Sequence, residues 1–215
     1  MYLPDHKKIV FMPHTEYRLI SAMYGLVCDG ITYCMYKCYF DSISTFFKDT
    51  SNYLWYIHTV NAYYDLAISN WCKIFGSYTE PTHYHKLIET QALRTKLTEV
   101  GVMSADVDHL RSYLLDHAQL SREQYNSYHE LTKDYRDRNL IHCEHSPEEI
   151  KDGDLYFPKL NVAKDTFLSL ALLLINLAKQ FPEAADEVNS YKLLYDDFRE
   201  KSQICSLIES SFPKF

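Results

Sequence analysis

The sequence predicts an all-α fold, a helical bundle with two long antiparallel helices followed by shorter C-terminal ones. Three observations carry this. Apolar residues recur at alternating three- and four-residue spacings along most of the chain. Only 5 Gly and 7 Pro punctuate 215 residues, too few for the tight turns of an all-β protein. Capping residues stand where the helical spacing breaks, notably Ser121-Arg122-Glu123-Gln124.

Taken in order, residues 1–15 form an N-terminal arm. The first helix is expected from about Glu16 to Phe46, with Ile20, Tyr24, Val27, Ile31, Cys34 and Cys38 on one stripe. The second runs from about Asn52 to Phe75. Its predicted stripe is Leu54, Ile57, Asn61, Tyr64, Ile68, Trp71 and Phe75, and Gly76 follows where a left-handed C-terminal cap belongs. A loop over Ser77–Thr82 leads to a third helix from His83 to Val100, closed by Gly101. Ser104 opens a short helix carrying Asp106 and Asp108 in its first turn, where negative charge suits the helix dipole. The Ser121 capping box starts a helix reaching about His142. An ordered loop spans 146–162, and the C-terminal helices fill 163–215, divided at Phe181-Pro182. No repeat or low-complexity tract divides the chain, so a single domain covers 1–215.

Composition narrows the partners. Apolar residues make up 47% and charged residues 24%, the mixture of a soluble globular protein. Lys and Arg number 22 against 29 Asp and Glu, a net charge of −7, which disfavours extended binding to DNA or long RNA by charge alone. A local site for one or two phosphates remains open. The first ten residues, MYLPDHKKIV, do not read as a signal peptide, and the apolar run Phe167–Ala178 is too short to span a bilayer. No membrane association is expected. The 6 cysteines read as reduced thiols, and the expected location is the cytoplasm.

The chemistry-bearing segment is Asp134-Tyr135-Arg136-Asp137-Arg138-Asn139-Leu140-Ile141-His142-Cys143-Glu144-His145. It gathers two guanidiniums, an imidazole and an amide where a helix gives way to a loop. Imidazole moves protons near neutral pH and guanidinium holds phosphate oxygens while staying charged, the parts needed to cleave RNA without a metal. The plain alternative is a solvated basic helix end beside unpaired carbonyls. On a regular helix Arg138 and His142, four apart, share a face, whereas Arg136 and His142 point about 120° apart. Asn61 and Asp65 lie on or beside the apolar stripe of the second helix. They read as groups bonded between helices, with Asp65 also able to orient a site. His83 and His85 read as exposed. His142, Cys143 and His145 lack a fourth zinc ligand, and Glu80-Pro81-Thr82-His83 is broken by proline, so no metal or other cofactor is expected.

Arg136-Asp137, four residues, then His142 resembles the Arg–polar–spacer–His signature of the HEPN superfamily. The second-helix ending Tyr63 to Gly76, followed by Glu80 to His85, is similar to its abortive-infection-like branch. The resemblance covers roughly Glu16 to His145. It implies a homodimer with two Arg/His pairs in one cleft, and a metal-independent endoribonuclease of toxin or defence type. Arg136 would bind phosphate and His142 act as acid–base, with Asp137, Arg138, Asn139 and Asp65 in support and an antitoxin protein as a further partner. It equally implies a silent alternative, since family members that only bind or scaffold are common. Tyr two residues after the His, the modified residue in members paired with a nucleotidyltransferase, is replaced by Glu144.

Overall fold

The computed structural model describes residues 15–141, 158–181 and 185–211, with backbone alone at 139–141, 185–187 and 202–211. Seven α-helices and no strand occur among the described residues: α1 Thr15–Ser42, α2 Tyr53–Trp71, α3 Gln91–Glu99, α4 Val107–Ala118, α5 Arg122–Tyr135, α6 Leu160–Ala178 and α7 Ala185–Ser211. The protein is an all-α bundle.

Helices α1 and α2 pack side by side and antiparallel. Phe40 lies opposite Tyr56, Tyr36 opposite Tyr63, and the Leu26 carbonyl accepts from Asn70 of α2. The six-residue stripe expected of α1 is buried throughout, facing α2, α6 and α7. Register in α2 differs from expectation. Its buried positions include Tyr56, Val60, Tyr64, Ala67, Ile68 and Trp71, while Leu54 is 71% exposed and Asn61 faces solvent. The first turns of α2 stand beyond the core, where Tyr56 donates to the Phe40 carbonyl at 2.9 Å.

Helix α6 is the inner helix of the bundle. It starts three residues earlier than expected, at Leu160, inside the segment read as loop. By length and composition both α6 and α1 could cross a bilayer, although the shorter run Phe167–Ala178 had excluded this for α6. Most of α6 is buried within the bundle, which accounts for its apolar character without a bilayer. Gly30 of α1 meets it closely: a Cβ there would lie 2.5 Å from the Phe167 ring. The glycine is a packing requirement at the α1–α6 crossing.

Local capping explains the other departures. His83 Nδ1 accepts from the His85 N–H at 3.2 Å, holding Tyr84–Ile88 in a 3₁₀ turn. Thr90 then caps α3 through the Leu93 N–H, so the expected helix from His83 to Val100 is two pieces. Asp106 is the cap of α4 and lies outside its first turn. The Ser121–Gln124 capping box forms as expected. The first long helix ends at Ser42 before a 3₁₀ turn, Ser44–Phe46, and α7 continues to Ser211. Gly101 takes the left-handed conformation, φ 99°, that closes α3.

The α1–α6 crossing gives a paired test. Gly30→Ala should lower the melting temperature, because overpacking costs about 1–3 kcal/mol and alanine's helix propensity returns at most about 1. Gly25→Ala, whose Cβ meets nothing within 4 Å, should raise it. Thermal melts followed by circular dichroism read both. Equal shifts for the two would show that the Phe167 contact is not tight.

Candidate functional site

The site is built where α5 meets the end of α2. Trp71, the last residue of α2, is fully buried, and its Nε1 donates to Thr166 Oγ1 of α6 at 2.9 Å. Tyr128 of α5 meets the indole edge-on at 5.1 Å, and Phe75 and His129 lie within 6 Å. From there both chains widen into π-helical turns, Cys72–Gly76 after α2 and Arg136–Ile141 after α5. Such turns shift the hydrogen-bond partner from four residues back to five and re-aim the side chains that follow.

Gly76 does not form the expected left-handed cap; among the described residues Gly101 and Gln119 alone have positive φ. Its role is spatial. A Cβ there would crowd Cys72 Cβ at 3.3 Å and would lie at ordinary contact distance, 3.8 Å, from Arg136 Nη1, so the guanidinium end rests beside this turn. The Gly76 carbonyl accepts from His129 Nε2 at 3.1 Å. Burial pushes the neighbouring Cys72 thiol up to about 12, with Arg136 pulling the other way.

Arg136 is mostly buried. Its Nε and Nη2 both donate to Asp137 Oδ1, at 2.8 and 2.6 Å. Arg138 is exposed and donates through Nε to Asp134 Oδ1 at 2.8 Å, one turn back. Asn139 contributes backbone to the π-turn. His142, with Cys143, Glu144 and His145, lies outside the described residues, so the expected Arg136–His142 pair is only half placed.

Asp65 does bond between helices, as the sequence suggested. It accepts from Tyr135 Oη at 2.8 Å, which ties α2 to the residue immediately before Arg136. Partial burial raises its carboxyl above the usual range, while the Tyr135 hydroxyl pulls it down. Tyr64 stacks edge-on to Tyr135 at 5.3 Å and donates to the Pro158 carbonyl at 2.7 Å. A cavity of about 390 Å³ is lined by Lys37, Asn61, Tyr64, Asp65 and Tyr135. A second, of about 320 Å³, lies on the other side of Lys37 and Tyr64, toward Cys38 and Leu160.

Several working groups were not singled out by sequence reasoning. His129 precedes Arg136 by seven residues on α5, a helical spacing that offered a signal. Tyr135 and Lys37 offered none. His83, expected to be exposed, is 3% exposed, because the loop after Gly76 folds back onto Phe75. Cys34, Cys38 and Cys72 are buried, and Cys34 and Cys38 pack in the core as expected. No group of three His, Cys, Asp or Glu suited to a metal occurs among the described residues.

Chemically, the arrangement offers a fixed cation. Guanidinium has five N–H donors in a planar fork, and Asp137 engages Nε and Nη2. The carboxylate holds the group rigidly while reducing its net pull on an anion. Set against models of protein families, curated proteins and solved structures, the chain matches none.

The buried histidine gives a pH test. Burial lowers His83 to about 3, and the charged neighbours act in the same direction. The unfolded chain therefore binds a proton below the ordinary histidine pKa of about 6.5 that the folded chain refuses. The stabilising contribution is complete above that value and is lost as pH falls toward 3. Between pH 7.5 and pH 5 it should cost about 2 kcal/mol. Urea unfolding at the two pH values should show this loss together with that of His85, which burial lowers to about 4, and His83→Gln should remove the His83 share. An unchanged pH dependence in that variant would place the acid sensitivity elsewhere.

Proposed function

We propose that this chain is a HEPN-type domain acting as a metal-independent endoribonuclease of toxin or defence type. Arg136 would hold the scissile phosphate and His142 would move the proton. Attack by a ribose 2′-oxygen on phosphorus breaks the bond to the 5′-oxygen and leaves a 2′,3′-cyclic phosphate. The imidazole accepts the 2′-hydroxyl proton, and the leaving 5′-oxygen takes one from the protonated imidazole of a second copy. The site would then be shared by a homodimer in the cytoplasm, held in check by an antitoxin protein.

The observation that supports this reading is the clamp on Arg136. The polar residue that follows the arginine in the family pattern, Asp137, fixes the guanidinium by two hydrogen bonds. Asp65, through Tyr135, anchors the same turn. A cation set in place before substrate arrives stabilises the charge that develops on phosphorus without reorganising.

A second reading is favoured by the ion pairs themselves. Asp137 and Asp134 each occupy one of the two arginines. That would suit a silent HEPN module serving as a homodimeric binding or regulatory subunit, in a chain whose net charge is −7.

Cleavage of a mixed RNA substrate separates the two. His142→Ala should lose on the order of 10² to 10⁴ in rate, the usual worth of a general acid–base group. Arg136→Lys, which keeps the charge and loses the fork, should also fall sharply while melting near wild type. Arg138→Ala should fall between wild type and Arg136→Lys. EDTA should change nothing. A wild-type chain that neither cleaves RNA nor slows growth on expression would establish the silent reading.

A further inference from the structure

The end of the α1–α2 pair away from Trp71 carries an aromatic surface that is exposed among the described residues. Where α1 runs out and α2 begins, rings touch in an unbroken series: Tyr36 with Tyr63, Tyr63 with Phe40, Phe40 with Tyr56, Tyr56 with Phe47 and Phe47 with Trp55. This side-to-side stacking fixes the rings before any partner arrives, so little side-chain entropy remains to be lost on contact. Yet much of the surface is open. Phe46 is 76% exposed, Leu54 71% and Trp55 59%, and Tyr36, Tyr39 and Tyr53 are exposed as well.

The area is diagnostic. At roughly 150–250 Å² per aromatic side chain, these exposures leave on the order of 600 Å² open, the top of the range for a patch on a monomer. A standard interface buries about 800 Å² on each partner. The ring surface with its polar rim therefore suffices for one specific contact.

Charge selects the occupant. From Tyr36 to His58 the chain has two lysines and two aspartates, a balanced patch on a protein of net charge −7. Lys37 is already paired with Asp41 on α1. Lys48 and Asp49 are adjacent and exposed at the tip. RNA or an anionic membrane would call for an excess of positive charge. Across a two-fold axis, by contrast, Lys48 of each copy can face Asp49 of the other, and the neutral patch avoids the repulsion two such acidic chains would otherwise meet.

We propose that this aromatic tip, formed by the end of α1 and the start of α2, is a self-association surface whose partner is the same tip of a second copy. The contact is separate from the Arg136 turn and does not rest on the ribonuclease reading. At about 1.5 Å rise per residue, Trp55 lies about 15 Å along α2 from Asp65, which holds the residue before Arg136, and about 24 Å from Trp71 at the helix end.

The two tryptophans make the test specific. Trp71 is fully buried in one copy, so iodide quenching of the full-length chain reports on Trp55. On raising the concentration through the monomer–dimer transition seen by sedimentation, quenching should fall several-fold and the emission should shift to the blue. Phe46→Ser with Leu54→Ser should raise the Kd of the association that protects Trp55 at least tenfold, without moving the thermal midpoint and without touching any pairing at the Arg136 cleft. Lys48→Glu should weaken the dimer in low salt and recover in high salt. Dimerisation without protection of Trp55 would overturn the proposal, as would a chain that stays monomeric at hundreds of micromolar. So would protection of the dilute monomer by phosphatidylcholine vesicles, which would assign the tip to a lipid surface.

Discussion

One indole carries the junction on which the site depends. Trp71 sits where α2, α5 and α6 converge, and its ring and its N–H do different work. The ring packs against Tyr128, Phe75 and His129, which sets the distance between α2 and α5. The N–H donates to Thr166, whose hydroxyl in turn donates to the α6 backbone, which sets the rotation of α2 about its axis. An indole N–H in a dry core costs about 1–3 kcal/mol if left without a partner, so the arrangement has few alternatives. Gly76 lies five residues on from Trp71, and Arg136 lies eight on from Tyr128, the α5 residue that meets the indole edge-on.

Around this point the polar groups of the helix ends are met by imidazoles. His129 satisfies the Gly76 carbonyl and His83 bonds the backbone at Phe75. A helix end leaves carbonyls without an intrahelical partner, and an imidazole N–H can donate to them. The charged groups lie one layer farther out, as Arg136 with Asp137 and Arg138 with Asp134. Asp65 stands between the layers, half-buried and held by Tyr135. Aromatic hydroxyls here perform the bonding that connects helices, which gives the high tyrosine content of the chain a structural use.

The helical architecture was readable because burial follows periodicity where a helix is flanked on several sides. All six stripe residues of α1 are buried, and the Ser121–Gln124 box forms as its spacing implied. Periodicity misled at the start of α2, because the buried face there carries Tyr56 and Val60, while Leu54 and Asn61 are turned to solvent. It also ran α3 back to His83, because the bonds made by His83 and Thr90 to local backbone override the apolar pattern. At the site, Arg136 and Asp137 were legible as neighbours in sequence and Asp65 as a polar group on an apolar face. The π-turns were not legible. A single widened turn leaves no repeat in the sequence, and it depends on contacts made by residues far away in the chain. The approach of Arg136 to Gly76 was hidden for the same reason, since the glycine signalled a cap that does not form.

The account makes the Trp71–Thr166 bond the support of the Arg136 turn, and hydrogen exchange on Thr166→Val examines this directly. Valine keeps the shape and removes the acceptor, leaving the indole N–H without a partner at a cost of about 1–3 kcal/mol. The account predicts faster amide exchange in residues 72–76 and 128–141 together, with α1 and the start of α2 protected as in wild type. Faster exchange confined to α6, with 128–141 unchanged, would contradict it.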